Sequence, residues 1–147
     1  MNKKKHPIIL YVLIGLLVVA AAIGPIYSSI AGPDFGSGYN DYPKFMDFSN
    51  LNEIGDGETE LIYRFHPQCG VCVDIKGEVL DFAESNEQGV TVYMTHVDYE
   101  ENVPNGIERA TPTLLVVVNG VIVDEYVGSN EIPQFLDDVN DGTYEVQ

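Results

Sequence analysis

The sequence predicts an α/β domain with a mixed central sheet flanked by helices, preceded by one N-terminal transmembrane helix. The first observation is an apolar run near the N-terminus that is long enough to cross a bilayer as a helix. The second is an alternation of strand, helix and strand patterns in the rest of the chain. The third is a hairpin signal, Asn119-Gly120, which lies between two apolar runs and is followed by an amphipathic helix.

Residues 1–31 predict a basic cytoplasmic tip and a transmembrane signal anchor. Residues 8–30 are nearly all apolar, and three lysines precede them. The positive-inside rule therefore places the N-terminus in the cytoplasm and the rest of a single-pass chain outside the cell membrane. The alternative is a signal peptide cleaved at Ser29-Ile30-Ala31, which leaves a secreted domain. We favour the anchor because the apolar run is long for a signal peptide, and both alternatives export the domain.

Composition divides the remaining chain into a linker and a folded domain. Residues 32–43 are rich in glycine, proline and polar side chains and predict a linker, which leaves residues 44–147 as the domain. Phe45–Ile54 predicts a first short strand or helix. Leu61–His66 is apolar with little alternation, which is typical of a central strand covered on both faces. A helical stripe of apolar residues follows from about Cys69 to Gln88.

The second half of the domain predicts the rest of the sheet and a closing helix. Val90–Asp98 predicts a second strand. Leu114–Val127 predicts the hairpin, because its Asn-Gly pair favours a tight two-residue turn. The last helix contains Pro133–Val139 and is expected to begin near Ser129 or Asn130, whose side chains are suited to capping.

The chemistry of the chain is concentrated in Cys69-Gly70-Val71-Cys72, which contains its only two cysteines. The pair lies where a predicted strand passes into a predicted helix, so both thiols share one face of the first helical turn. The helix N-terminus favours a thiolate at Cys69 and lowers its pKa, whereas Cys72 is expected to be more buried. Cys69 is therefore the expected attacking thiol and Cys72 the resolving thiol. Gly70 lets a partner backbone approach, and Val71 adds apolar surface without charge.

The order and spacing of these pieces resemble the thioredoxin family from about Leu61 to Val139. The resemblance includes the strand, the Cys-Gly-Val-Cys motif with its helix, the second strand, Thr111-Pro112-Thr113, the hairpin and the final helix. It implies a thioredoxin-like fold and thiol–disulfide exchange. By resemblance, the peptide bond before Pro112 is cis and packs beside the cysteines, and Thr111 offers backbone hydrogen bonds to an extended substrate.

The chain departs from many cytoplasmic members of that family near the cysteines. Those members have a tryptophan before the first cysteine and a buried Asp–Lys pair that accepts a proton from the second thiol; this chain has Gln68, Tyr63 and Met94 there. Tyr63 and His66 are candidate modulators of the thiols. The Tyr63 hydroxyl could contact the second thiol, and protonated His66 could stabilise the thiolate. Their simpler interpretations are a core aromatic and a histidine at the rim of the site.

The charge of the chain limits its partners. The formal net charge is −16, and all 23 acidic residues lie after position 33. Such a surface repels nucleic acid and anionic lipid headgroups, so no nucleic-acid partner is expected. Its simplest interpretation is a solubilising surface. Attraction of basic exported clients and adaptation to high salt are alternatives.

These observations together predict a membrane-anchored thiol–disulfide oxidoreductase with an extracytoplasmic domain. Its partners are expected to be exported proteins or peptides that contain cysteine, together with a redox partner protein in the membrane or outside it. No cofactor is expected beyond a redox-active Cys69–Cys72 disulfide, and no residue is assigned as a metal ligand. The alternatives are a copper- or zinc-binding module that uses the same cysteines, and a thioredoxin-like interaction domain without turnover.

Overall fold

The computed structural model describes residues 33–54 and 59–144. The chain divides into two units after Asp34, and the fold described is that of the second unit. Its strands and α-helices are, in order, β1 Thr59–Phe65, α1 Gly70–Asp74, α2 Lys76–Ser85, β2 Thr91–His96, β3 Thr113–Val118, β4 Val121–Val127 and α3 Gly128–Asn140. Short 3₁₀ helices cover Tyr39–Asp41, Phe48–Glu53 and Val97–Tyr99.

The four strands form one mixed sheet in the order β2-β1-β3-β4. Strand β1 pairs in parallel with β2 and antiparallel with β3, and β3 pairs antiparallel with β4. Six of the seven β1 residues are buried, as expected for an inner strand covered on both faces. The structure therefore confirms the predicted mixed sheet and the central position of β1.

The two faces of the sheet are covered differently. On one face, Leu61, Tyr63 and Phe65 pack into a core with apolar residues of all three α-helices. On the other face, Ile62 packs with residues of the 3₁₀ helix Phe48–Glu53 and the segments beside it. In the described part of the chain, α-helices thus cover one face only. The sequence predicted that helices would flank the sheet. The helix on the second face is a 3₁₀ helix and not an α-helix.

The folded unit begins earlier than the sequence predicted. The segment 32–43, expected to be a linker, places Phe35 and Tyr39 in the core, where both are buried. The Tyr39 ring stacks on Phe65 with 3.8 Å between ring centroids. The segment is rich in glycine, proline and polar residues, but its two buried aromatic rings bury enough apolar area to fix it against β1.

The helices also differ from their predicted limits. The helix expected from Cys69 to Gln88 is divided at Ile75 and ends at Ser85. The last helix begins at Gly128, close to the predicted start, but its N-cap residue is Val127, directly at the end of β4, and neither Ser129 nor Asn130 caps it. Glu131 reaches back to accept a hydrogen bond from the Val127 amide at 3.1 Å, which satisfies a donor at the helix end.

The predicted transmembrane segment, residues 1–31, lies outside the described residues. Among the residues that the structure describes, no helix is both long enough and apolar enough to cross a bilayer.

The predicted hairpin turn is confirmed and is packed against another part of the fold. Asn119 and Gly120 both have positive φ, 51° and 72°, as a tight two-residue hairpin turn requires. A Cβ placed on Gly120 would lie 2.8 Å from the Cα of Asn52 and 2.9 Å from the Leu51 carbonyl oxygen. The turn therefore needs glycine for its backbone conformation and for its close approach to the 3₁₀ helix.

We expect Gly120→Ala to lower the free energy of unfolding by about 1–3 kcal/mol, because it adds backbone strain and a clash with backbone atoms. Gly77→Ala is the matched control, since a Cβ there meets no atom within 4 Å and lies inside α2. It should raise the free energy by about 0.5–1 kcal/mol through helix propensity. Urea unfolding of the full chain measures both values, and equal effects of the two variants would contradict this account.

Candidate active site

Strand β1 delivers the first cysteine to the edge of the sheet. The strand ends at Phe65, and a tight turn follows in which the Cys69 amide donates to the His66 carbonyl oxygen at 3.0 Å. Cys69 is the N-cap residue of α1, and its sulfur accepts a hydrogen bond from the Cys72 amide at 3.2 Å. The structure thus confirms the predicted position of the pair at a strand-to-helix turn.

The two cysteines are both free thiols, but their surroundings differ. Cys72 is 1% exposed and belongs to the core beneath the helices, whereas Cys69 is half-buried at the surface. The Cys69 sulfur also lies 3.4 Å from the carbonyl oxygen of Thr111, to which its thiol donates. Only Cys69 is therefore accessible to a protein-sized partner without rearrangement.

The electrostatics separate the two thiols further. Partial burial acts to raise the pKa of Cys69, but hydrogen bonds with the Cys72 thiol, with Thr111 and with the backbone amides of Cys72 and Val71 outweigh it and lower the pKa. Burial raises the pKa of Cys72 to about 11, and the neighbouring Cys69 adds to that increase. The structure consequently favours the thiolate at Cys69 and the protonated thiol at Cys72.

The segment before β3 completes the surroundings of Cys69. The Thr111–Pro112 peptide bond is cis, as the family resemblance implied. Pro112 is buried, and its carbonyl oxygen accepts from the Gly128 amide at 3.0 Å where β4 passes into α3. The Thr113 hydroxyl donates to the Ala110 carbonyl oxygen at 2.7 Å. These bonds hold Thr111 beside the accessible sulfur.

Gly70 and Val71 form the exposed side of the motif. Gly70 is exposed, and a Cβ placed there would meet no atom within 4 Å. Val71 is 40% exposed and adjoins it. The structure thus leaves an open apolar surface between the two cysteines, as the sequence predicted.

Tyr63 lies beneath the site, at the position where many thioredoxins have a buried aspartate. Its side chain is fully buried, and its hydroxyl oxygen has no hydrogen-bond partner of good geometry among the described residues. Burial raises the pKa of Tyr63 far above its ordinary value. Met94, its register partner on β2, is also fully buried. A phenol and a thioether therefore replace the usual buried ion pair, so no carboxylate is available there to accept a proton from Cys72.

The second candidate modulator, His66, interacts away from the thiols. Its Nε2 lies 3.3 Å from a carboxylate oxygen of Asp98, and its Nδ1 accepts from the Gln68 amide at 3.1 Å. His96 lies beside it, with ring centroids 5.1 Å apart, and burial lowers the pKa of His96. His66 is linked to the cysteines through its backbone: its carbonyl oxygen accepts from the Cys69 amide, and a hydrogen bond between its backbone and the Cys72 sulfur acts to lower the pKa of Cys72.

A buried ion pair that the sequence patterns did not predict lies beside the site. Arg64 is buried on the sheet face opposite Tyr63, and its guanidinium binds the Glu100 carboxylate at 2.7 and 2.8 Å. It also donates to the Glu108 carbonyl oxygen. Arg64 thereby ties the end of β1 to the segment that leads to Thr111. The available signal was an arginine within the apolar run 61–65 of the central strand, where a charge requires a partner.

The separation of the two pKa values predicts how each thiol is alkylated in reduced protein. Thiolate fractions rise with pH through the pKa, so iodoacetamide should modify Cys69 at a lower pH than an ordinary cysteine. Cys72 should become reactive only near pH 11. Mass spectrometry of peptides alkylated across a pH series measures both profiles. Equal midpoints for the two residues, or a lower midpoint for Cys72, would contradict the assigned asymmetry.

Comparisons with known proteins agree with this geometry. The family model described as Thioredoxin matches residues 47–141, which is more than half of the chain. Mitochondrial thioredoxin of Mus musculus is 34% identical over 98 residues, covering 64% of this chain and 55% of its own length. The chain thus spans about half the length of this curated relative.

Solved structures also share the fold. Oxidised mitochondrial thioredoxin 3 of Saccharomyces cerevisiae superimposes with a TM-score of 0.57 at 21% identity, over 71% of this chain and 99% of that one. A mutant thioredoxin of Halobacterium salinarum superimposes with a TM-score of 0.55 at 24% identity, over 73% and 96% of the two chains. The fold, the position of the cysteine pair and the family match lead to one conclusion: this chain belongs to the thioredoxin family.

Proposed function

We propose that this chain is a thiol–disulfide oxidoreductase in which Cys69 is the attacking thiol and Cys72 the resolving thiol. The observation that carries the proposal is the asymmetry of the pair. Cys69 is accessible and has a lowered pKa, whereas Cys72 is buried and has a raised pKa one helical turn away. Exchange requires this division of roles, because the thiolate attacks and a second thiol must then release the partner.

In the reducing direction, the Cys69 thiolate attacks one sulfur of a client disulfide. A mixed disulfide forms, and the other client sulfur leaves as a thiolate that takes up a proton. Cys72 then loses its proton and attacks the Cys69 sulfur, which releases the second client thiolate. The products are a client dithiol and a Cys69–Cys72 disulfide, so two electrons pass to the client. The oxidising direction is the same sequence reversed, and in either direction a partner of opposite redox state restores the pair.

The mixed disulfide itself activates Cys72. Burial is the largest cause of its raised pKa, and the hydrogen bond and charge of Cys69 add to it. When Cys69 is bonded to a client it carries no negative charge, so the contribution of that charge disappears. The pKa of Cys72 then falls at the step that needs its thiolate. The loss of this contribution partly compensates for the absence of a carboxylate at the position of Tyr63.

The client binds over the exposed surface beside Cys69. Gly70 lets an extended backbone approach the sulfur, and Val71 offers apolar contact. Thr111 lies beside Cys69, next to buried Pro112, and in the proposed complex its backbone pairs with that extended segment. The strongly acidic composition favours basic or neutral clients and excludes nucleic acid as a partner.

The expected effect of removing the thiols tests the enzymatic proposal. In an insulin-reduction assay with dithiothreitol, Cys69→Ala/Cys72→Ala should lose all acceleration over the uncatalysed rate. Cys72→Ala should retain a Cys69 thiolate that traps clients as lasting mixed disulfides. Val73→Ala, which alters an exposed side chain beside the pair, is the matched control and should retain turnover.

Acceleration that survives in the double variant would overturn the proposal. A wild-type chain that forms mixed disulfides without turnover would instead identify an interaction domain. The presence of Tyr63 in place of the buried aspartate favours that alternative.

We further propose that residues 1–31 anchor the chain in the cell membrane, with the redox domain outside and exported cysteine-containing proteins as clients. The apolar run and the preceding lysines support this arrangement. In intact cells, a membrane-impermeant maleimide should label reduced Cys69, and the chain should sediment with membranes after alkaline extraction. Protection of Cys69 until the cells are lysed would contradict the proposed topology, and release of the chain by alkali would favour cleavage.

A further inference from the structure

A cluster of two imidazoles and one carboxylate lies at the edge of the sheet beside the cysteine turn. Strands β1 and β2 are parallel, and Phe65 is in register with His96. The residue after β1, His66, and the last residue of β2 therefore meet at the same edge. Asp98 follows in the 3₁₀ helix Val97–Tyr99, and the ligand atoms of the three side chains all lie within 4.8 Å of one another.

The backbone orients both imidazole rings. The Gln68 amide donates to Nδ1 of His66, and the Asp98 amide donates to Nδ1 of His96, each at 3.1 Å. The hydrogen of each neutral ring is therefore on Nε2, and it must move to Nδ1 before Nε2 can bind a metal ion. His66 already directs its Nε2 at the carboxylate of Asp98, at 3.3 Å.

One side chain of the cluster is buried and the other two are partly exposed to solvent. His96 is 6% exposed, whereas the side chains of His66 and Asp98 are 28% and 63% exposed. A small ion can thus reach the cluster from solvent and be held by a rigid ring beneath it. Glu100, the nearby buried carboxylate, is occupied by Arg64 and so is not available as a fourth ligand.

We propose that His66, His96 and Asp98 bind a divalent transition-metal ion of the Zn²⁺ type, with water in the fourth position. Neutral imidazole and carboxylate are the ligands such ions take, and three protein ligands with one open position is an established zinc arrangement. In a tetrahedral zinc site, neighbouring ligand atoms are about 3.3 Å apart, given bonds of about 2.0 Å. The distance from His66 to Asp98 already has this value.

Binding requires a defined rearrangement of protons and hydrogen bonds. A neutral imidazole that accepts at Nδ1 carries its hydrogen on Nε2. Coordination through Nε2 places that hydrogen on Nδ1, with no net loss of protons, and so breaks the two bonds from the Gln68 and Asp98 amides. Because two of the three ligands are imidazoles, the site favours ions with high imidazole affinity over Mg²⁺ or Ca²⁺. Because Gln68 precedes Cys69, an ion bound here also shifts the turn that holds the attacking thiol.

Metal binding at this site does not depend on thiol exchange. It is therefore tested with Cys69 and Cys72 oxidised, so that their thiols cannot bind Zn²⁺ themselves. The full chain without an affinity tag is held in mild detergent with Cys69 and Cys72 joined as a disulfide. Zn²⁺ is titrated calorimetrically in excess Mg²⁺, which occupies weak sites on the acidic surface. We expect one saturable site per chain. Asp98→Asn and His66→Asn should each weaken it by about 10-fold or more, since each removes a direct ligand.

The controls use residues of the same types elsewhere in the chain. His6→Asn removes the third histidine of the sequence, and Glu78→Gln removes an exposed carboxylate of α2; both should leave the affinity unchanged. Nitrogen-detected NMR provides a second readout, because Zn²⁺ should move the hydrogen of both rings to Nδ1 and shift the Gln68 amide signal. Absence of 1:1 binding, or binding that survives in both ligand variants, would overturn the proposal.

Discussion

The pairing of β1 between β2 and β3 is the constraint on which the rest of the structure depends. All but one of its residues are buried, so its register and its faces are fixed by packing on both sides. Its parallel neighbour ends at the same edge, and its antiparallel neighbour begins there. Three separate segments of the chain consequently converge where β1 ends, and the accessible thiol, the cis-proline segment and the histidine cluster all lie at that edge.

The difference between the two thiols follows from this arrangement. Cys69 caps a helix at the surface, where the Cys72 amide donates to its sulfur, while Cys72 faces the core one turn later. The same three-residue spacing that brings the sulfurs together thus places one sulfur at the surface and the other in the core. Tyr63, and not a carboxylate, occupies the buried position beneath the pair, and burial is the largest cause of the raised pKa of Cys72, with the neighbouring Cys69 sulfur adding to it.

The parts of the fold that the sequence predicted correctly are those determined by interactions between residues close together in the chain. The central strand, the cysteine turn and the Asn119-Gly120 hairpin have short-range signals, and family resemblance supplied the cis bond before Pro112. Tertiary packing decided the remainder. Phe35 and Tyr39 joined the core from a segment with linker composition, and α3 began directly after β4. The His66–His96 and Arg64–Glu100 contacts depend on strand register across about 30 residues, which no short pattern contains.

The reduction potential of the Cys69–Cys72 pair, measured in glutathione buffers, tests the central claim most directly. An exchange site should show one reversible two-electron couple between about −120 and −270 mV, the range of thiol–disulfide oxidoreductases. A value near the upper limit indicates a disulfide donor, and a value near the lower limit indicates a reductant. A pair that forms no intramolecular disulfide would contradict the account. A reduction potential below about −300 mV, which is typical of structural disulfides, would contradict it as well.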